Sequence, residues 1–242
     1  MKKVFIDAGH NHSGFNTGAV ANGMREQDIT FDVAFLLGEI LGRHGIDVRL
    51  SRPTQQTNLG IDNASAINAR WQAANAWGAD YFISIHANAG GGTGAETLFF
   101  RDDARGFAQT VQDVYSDVMG LRNRRIWRRD DIGVVRWARM PAILIELAFI
   151  DAPISAPDVE ILRNRREDMA AAVAKGVLAY FGIAFQEGDN VITDDVPDWA
   201  VETIRMLVEK GYLKGDGQGL NLSMDMIRVL VILDRAGVFD GK

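Results

Sequence analysis

The stretch PAILIELAF, residues 141–149, is an almost unbroken apolar run that contains a single charged residue, Glu146. A strand with apolar side chains on both faces is typical of the middle of a parallel sheet that helices cover on both sides. An unpaired carboxylate in such a strand is costly, so Glu146 needs a metal ion, a cationic partner or a raised pKa. All three situations are commonest at working sites, which makes Glu146 a candidate site residue.

Shorter apolar runs precede this one and alternate with helical patterns, and the alternation continues to residue 183. It is typical of an α/β fold, in which a mostly parallel sheet is flanked by helices. Segment 121–131 follows neither period, so we predict that it forms an exposed loop. The predicted strands are 4–8, 47–51, 81–87, 95–100 and 142–149, and the predicted helices are 26–44, 63–77, 103–119 and 166–181.

The overall composition is that of a globular protein of 242 residues, with 47% hydrophobic and 24% charged residues. A formal net charge of −6 argues against nucleic acid as a partner, because nucleic-acid-binding surfaces are basic. The chain has no cysteine, which excludes disulfides and thiolate metal sites. The apolar run between Lys3 and Asp7 is too short for a signal peptide or a membrane span, so we expect synthesis in the cytoplasm without either.

The composition shifts after Ile183, and we predict two domains, residues 1–183 and 184–242. The second is predicted to be small and all-helical, with one helix over 197–210 and another over 223–236. Two helices make a marginal core. We therefore expect this domain to dock on the first domain or on another copy of the chain, as a homo-oligomer.

Three more polar side chains lie at the ends of predicted elements. His10 and His86 each follow an apolar strand, and Glu26 begins the first long helix. The carboxyl ends of parallel strands open onto the ligand crevice of an α/β sheet. Two histidines and a glutamate are a common ligand set for catalytic zinc, and Glu146 would then handle the proton of the activated water. The alternatives are structural: hydrogen-bonded histidines, and a glutamate favoured by the helix dipole.

Six segments carry a family resemblance: 4–10 with Glu26, 51–53, 68–75, 84–88, 94–96 and 141–150. In order and spacing they resemble the zinc-dependent N-acetylmuramoyl-L-alanine amidases of the amidase 3 type, which occur among autolysins, spore-cortex enzymes and phage endolysins. The resemblance covers about residues 1–183. The chain departs from the family at Asn11-His12-Ser13, where glycines are usual, and at Leu147-Ala148, where Gly-Phe is more common; both departures concern substrate fit more than catalysis.

The resemblance implies that His10, Glu26 and His86 bind Zn²⁺ and that Glu146 is the catalytic carboxylate. The substrate would be bacterial peptidoglycan, cut at the amide between N-acetylmuramic acid and the L-alanine of the stem peptide. Glu146 would take a proton from the attacking water and pass it to the departing nitrogen. The side chains expected to contact the substrate are Asn88, Arg70 and Arg52.

Two rival functions remain open at this point. One is a zinc peptidase that cuts within the stem peptide, and the other is a non-catalytic protein that binds the cell wall. The basic segment 122–129 also has two interpretations. It either binds carboxylates of the stem peptide by bidentate contacts or is a solvated loop whose charge Asp130 and Asp131 balance.

The C-terminal segment 199–235 resembles, more loosely, a single S-layer-homology-like motif of the kind that anchors proteins to cell-wall polymers. This resemblance implies that residues 184–242 bind such a polymer. The alternative is a plain helical hairpin that caps the first domain. A wall-binding module without a signal peptide favours a phage endolysin released through a holin pore, with a bacterial autolysin as the second choice.

Overall fold

The computed structural model describes residues 1–185, 196–197, 199–213, 220, 222 and 224–239. The chain divides into two compact units, residues 1–189 and 190–242. Within the described ranges, no helix combines the length and the apolar character that crossing a bilayer requires.

The first unit is built on a six-stranded sheet in the order β4-β1-β5-β8-β6-β7. Strands β4, β1, β5 and β8 run parallel, whereas β6 runs antiparallel to β8 and parallel to β7. The small strands β2 and β3 form a separate antiparallel pair. The strands are β1 (Lys3–Ala8), β2 (Val20–Ala21), β3 (Met24–Arg25), β4 (Asp47–Leu50), β5 (Tyr81–Asn88), β6 (Ala95–Phe99), β7 (Asn123–Arg128) and β8 (Ala142–Phe149).

Helices cover the sheet and confirm the predicted α/β class. In the first unit they are α1 (Glu26–Arg43), α2 (Asn63–Trp77), α3 (Arg105–Met119), α4 (Gly133–Arg136), α5 (Pro157–Asn164) and α6 (Arg166–Phe181). Helix α6 packs on α1 and α3, and α2 packs on α4. The sheet face under α2 and α4 carries the apolar cluster of Phe5, Phe82, Leu98 and Leu144. Alternate residues of a strand point to the same face of the sheet. Further along these strands the residues that point to this face are polar, so the polar site lies on this face.

The five predicted strands and four predicted long helices of the first unit are all present, within a few residues of their predicted bounds. The prediction of an exposed loop over 121–131 was wrong, because β7 occupies most of it as an edge strand. Its pairing with β6 shifts register between Ala95 and Thr97, and Arg125 has a φ of 76°. Such a bulge interrupts the alternation by which strands are found in a sequence. Helices α4 and α5 and the β2–β3 pair were not predicted.

The second unit contains helices α7 (Val201–Glu209) and α8 (Met224–Arg235). They pack through a small core of Ala200, Ile204, Ile227 and Val231. The first helix begins at Val201 rather than at the predicted Pro197, whose carbonyl instead accepts a hydrogen bond from Ala200 N in a turn. The predicted N-cap of the second helix, Ser223, lies outside the described residues.

Replacing Gly176 by alanine tests the packing of α6 on α3. A Cβ at Gly176 would lie 2.8 Å from Val111 Cα, so the helices must move apart, and we expect unfolding to become easier by about 1–3 kcal/mol. The matched control is Gly42→Ala in α1, where a Cβ meets nothing within 4 Å. Because alanine has the better helix propensity, this change should raise the free energy of unfolding by about 0.5–1 kcal/mol. Urea unfolding measures both, and equal effects of the two substitutions would contradict this packing.

Candidate metal centre

Three side chains that are distant in the chain meet at the carboxyl end of the sheet. His10 lies two residues beyond β1, Glu26 is the first residue of α1, and His86 is near the end of β5. Their ligand atoms all lie within 4.8 Å of one another. Glu26 Oε1 lies 3.0 Å from His10 Nε2 and 3.1 Å from His86 Nδ1. The structure thus brings together all three of the predicted metal ligands.

The carboxylate of Glu26 is buried and accepts hydrogen bonds on both oxygens. Its Oε1 accepts Ala87 N at 3.0 Å and its Oε2 accepts Ala19 N at 2.9 Å. Burial alone would raise the pKa of Glu26, but the contacts with His10 and His86 outweigh it and hold that pKa well below its usual range. Burial lowers the pKa of His86, which favours the neutral imidazole that binds metals.

The donor set suits a divalent cation. Two imidazole nitrogens and one carboxylate oxygen match the ligands of catalytic zinc sites, which leave a position open for water. One polar atom near this point, Glu146 Oε2, is buried without a hydrogen-bond partner among the described residues. Buried polar atoms of this kind are costly, and a bound ion with its water is the kind of partner that satisfies them.

An ion pair beneath the site holds the turn that carries His10. His10 has a φ of 66°, a strained conformation for a residue with a side chain. Arg70 of α2 donates to His10 O at 2.7 Å, to Ala8 O at 2.6 Å and to Asp7 Oδ1 at 2.6 Å. Burial would raise the pKa of Asp7, but Arg70 and the hydroxyl of Ser84 lower it below its usual value. The strained turn is therefore fixed by a buried, ionised pair.

Two arginines that we expected to contact the substrate lie inside the protein. The Arg70 side chain is 2% exposed and binds the pair and carbonyls just described. Arg52 is fully buried, and its guanidinium donates to the carbonyls of Gln27 at 2.9 Å, Gln55 at 2.6 Å and Gly9 at 3.4 Å. Burial lowers the pKa of Arg52 to about 10. Both therefore support the loops around the site; Arg70 also lines the cavity, and contact with the substrate stays a prediction for both residues.

Asn88, the third residue expected to contact substrate, lies at the end of β5 and lines the site cavity. Its amide donates to Glu96 Oε1 at 2.9 Å. The contact with substrate stays a prediction for this residue. What the structure adds is a link from the cavity wall to a second carboxylate, Glu96 of β6.

Glu146 lies between a histidine and a carboxylate on neighbouring strands. It is in register with His86 of β5 on one side and with Glu96 of β6 on the other. Burial, followed by the charges of Glu26 and Glu96, raises the pKa of Glu146 to about 8. A carboxyl group with that pKa exchanges its proton near neutral pH, as general acid–base chemistry requires.

A cavity of about 370 Å³ opens over these residues. Its polar wall contains His10, Glu26, His86 and Glu146, and its apolar wall contains Ile67, Ile132, Val134 and Leu144. A larger hollow of about 690 Å³ beside the end of α3 shares no lining residue with it and contains no histidine. The smaller cavity therefore contains the candidate site.

Two glycines allow the backbone to approach the site closely. A Cβ at Gly9 would lie 2.6 Å from His86 Nε2, and a Cβ at Gly18 would lie 2.7 Å from Glu26 Oε2 and 2.9 Å from His10 Cδ2. Larger residues at either position would displace the side chains that form the centre.

The sequence interpretation missed Glu96 beside Glu146, and it considered Arg124 only as one of the basic residues of segment 122–129. Arg124 Nε donates to Glu96 Oε2 at 2.8 Å. Glu96 belongs to the segment 94–96 that carries the family resemblance, but its pairing with β8 is antiparallel and could not be read from the order of elements. The position of Arg124 depends on the β7 bulge, for which the sequence gives no signal.

A mostly parallel sheet that brings two histidines and a glutamate together beside a buried carboxyl group offers the side chains that hydrolytic chemistry requires. The chain matches the N-acetylmuramoyl-L-alanine amidase family, Amidase_3, over residues 4–179. It therefore belongs to this family, and it contains an amidase domain, which confirms the resemblance seen in the sequence.

Individual relatives agree with the family assignment. The chain is 35% identical over 192 residues to the N-acetylmuramoyl-L-alanine amidase CwlM of Bacillus licheniformis, covering 76% of this chain and 70% of that protein. It is 31% identical over 200 residues to the endolysin of Bacillus phage SPP1, covering 78% and 69%. Among solved structures, an N-acetylmuramoyl-L-alanine amidase from Clostridium difficile 630 superposes with a TM-score of 0.66 at 30% identity, covering 75% of this chain and 97% of that one.

Replacing Arg70 by glutamine tests the buried ion pair. The change leaves the carboxylate of Asp7 buried without its cation, so we expect the free energy of unfolding to fall by about 3–5 kcal/mol. The matched control is Arg101→Gln, which removes an exposed pair with Asp103 and should cost less than about 1 kcal/mol. Urea unfolding of both variants gives the comparison, and a loss at Arg70 no larger than at Arg101 would refute the supporting role.

Proposed function

We propose that the chain hydrolyses the amide between N-acetylmuramic acid and L-alanine in peptidoglycan, using a zinc ion held by His10, Glu26 and His86. One observation carries the proposal: the ligand atoms of these residues lie within 4.8 Å of one another, and Glu146 is in register with His86 beside them. The family to which the chain belongs supports the choice of bond.

When zinc is bound, it supplies Lewis-acid activation of water and of the scissile carbonyl. Glu146 accepts a proton from the attacking water and delivers it to the leaving nitrogen. Water adds to the lactyl carbonyl carbon, the C–N bond breaks, and the products are a lactyl carboxyl group and the amino group of L-alanine. The apolar wall of the cavity, with Ile67, Ile132 and Val134, excludes bulk water from this step.

Metal analysis tests the ligand set. We expect the purified protein to hold about one zinc per chain, since His10, Glu26 and His86 together offer one set of zinc ligands. A chelator should abolish wall digestion and added zinc should restore it, because the water is no longer activated without the ion. His86→Ala should lose the zinc, whereas the control His44→Ala, at the end of α1 and away from the centre, should keep it.

Full activity in metal-free protein would contradict the zinc assignment. A nitrogen–oxygen site accepts several divalent metals, so the analysis must quantify manganese, iron, cobalt and nickel as well. A different metal at full occupancy would correct the identity of the ion while leaving the ligand set in place.

Glu146→Gln tests the catalytic carboxyl. The amide cannot move a proton, so kcat for wall digestion should fall by about 10²–10⁴-fold, while the zinc content stays unchanged. The matched control, Glu160→Gln on the exposed face of α5, should keep wild-type activity. Lysis at the wild-type rate by Glu146→Gln would remove the residue from the mechanism.

Mass spectrometry of the digest decides which bond is cut. An amidase releases stem peptides that begin with L-alanine and leaves intact glycan strands. A peptidase acting within the stem would leave L-alanine attached to muramic acid, and a non-catalytic binding protein would release nothing. Either of the last two patterns from wild-type protein would overturn the proposed function.

We also propose that residues 184–242 bind a cell-wall polymer, on the basis of the S-layer-homology-like motif. The two-helix core of α7 and α8 is small, as a module specialised for surface binding would be. Sedimentation of Glu146→Gln protein with purified walls, before and after chemical removal of the secondary polymers, tests this. Self-association through this unit is tested by light scattering of the same samples.

For the biological setting we propose a phage endolysin that reaches the wall through a holin pore. A phage relative named endolysin supports this choice, and the bacterial amidases among the relatives support the alternative, a bacterial autolysin. Co-expression with and without a holin distinguishes them, because an endolysin lyses the producing cell only when the pore is present.

A further inference from the structure

A row of polar side chains leads from the metal centre to the edge of the sheet. His86, Glu146 and Glu96 are in register on β5, β8 and β6 and lie on one face. The row ends at Arg124 of the edge strand β7, whose Nε donates to Glu96 Oε2 at 2.8 Å. Asn88 joins the cavity to this row through its hydrogen bond to Glu96.

The bulge in β7 accounts for the position of Arg124. Ala95 pairs with Asn123 and Thr97 pairs with Ile126, so β7 has one residue more than β6 between these pairs. The extra residue is taken up at Arg125, whose φ is 76°. Bulges next to active sites commonly redirect a side chain, and this one lets Arg124 reach inward to Glu96.

Arg124 has hydrogen-bonding capacity to spare. Its side chain is 30% exposed, packs over the ring of Phe149 at 4.8 Å and uses Nε for Glu96. In the described part of the chain, no acceptor contacts its two Nη groups. Arg129, a second basic residue of this segment and the one whose charge lowers the pKa of Glu146, is instead bound through Nε and Nη2 to Asp131 at 2.8 and 2.6 Å.

We propose that Arg124 is a specificity residue that binds a carboxylate of the stem peptide while the scissile amide lies beside Glu146. The inference rests on the function proposed above and extends it to substrate choice. A guanidinium held at Nε and stacked on a ring presents a fixed pair of donors, which matches the two oxygens of a carboxylate.

The spacing of the sheet selects which carboxylate reaches Arg124. Neighbouring strands lie about 4.8 Å apart, so β6 and β7 are roughly 5 and 10 Å from the backbone of Glu146. The guanidinium lies between these values because it reaches inward to Glu96. An extended peptide residue spans about 3.3–3.6 Å, so the second residue of the stem lies roughly 7 Å from the scissile bond. In peptidoglycan that residue is a glutamate linked through its side chain, whose α-carboxyl group is either free or amidated.

The test compares two soluble disaccharide-peptide substrates that differ only in this α-carboxyl group, one free and one amidated. We expect zinc-loaded wild-type protein to cleave the free acid with the higher kcat/KM. Arg124→Gln should lower kcat/KM for the free acid by about 10- to 100-fold, because a charge-assisted contact is lost. The kcat/KM for the amidated substrate should change by less than about threefold. Arg124→Lys keeps the positive charge but lacks the paired donors of a guanidinium, so it should restore part of the preference for the free acid.

The matched control is Arg122→Gln, an exposed arginine just before β7, which should keep the wild-type preference. If Arg124 acted only by positioning Glu96 and Glu146, its replacement would slow the cleavage of both substrates equally. That result would overturn the inference. Equal cleavage of both substrates by wild-type protein would overturn it too, while leaving the amidase function intact. Failure to cleave either substrate at the muramic acid amide would refute the proposed function and the inference with it.

Discussion

The carboxylate of Glu26 is the contact on which the site depends. One of its oxygens lies within about 3 Å of a ring nitrogen of His10, a ring nitrogen of His86 and the amide of Ala87. It thereby ties the first helix to the loop after β1 and to the end of β5. Two imidazoles and a carboxylate held this closely form a preorganised centre. The free energy needed to bury them is supplied when the chain folds, so a ligand does not have to supply it on binding.

The same sheet face serves packing at one end and chemistry at the other. Phe5, Phe82 and Leu144 pack under α2 and α4. Asp7, His86 and Glu146 lie two or four residues later on the same three strands and point to the same face. The parallel register makes this division possible, because all three strands deliver their last residues to one edge. The buried pair of Asp7 and Arg70 lies at the boundary, where it closes the apolar core and holds the strained turn of His10.

Much of this arrangement could be predicted from the sequence, because it depends on periodicity and on the rule that parallel strands end together. The strands, the long helices and the places of His10, His86 and Glu146 on the strands follow from those two facts, whereas Glu26 begins a helix and joined the predicted site mainly through the family resemblance. Residues whose position depends on tertiary register could not be predicted. Glu96 reaches Glu146 through an antiparallel pairing, and β7 is concealed by a bulge that breaks its alternation. The burial of Arg52 and Arg70 could not be predicted either, since an arginine in a family motif supports a loop as readily as it binds a ligand.

The three arginines near the site differ in what remains of their hydrogen-bonding capacity, and this difference decides what each can do. Arg70 and Arg52 are enclosed and bind carbonyls and a carboxylate of the protein, so their charge stabilises the fold. Arg124 is partly exposed and anchored through one nitrogen, which fixes its orientation at little cost in rotamer freedom. A guanidinium that is oriented by the protein but not saturated by it is suited to recognise a ligand. In the proposed function, the sheet edge extends the candidate centre toward the part of the substrate that varies chemically.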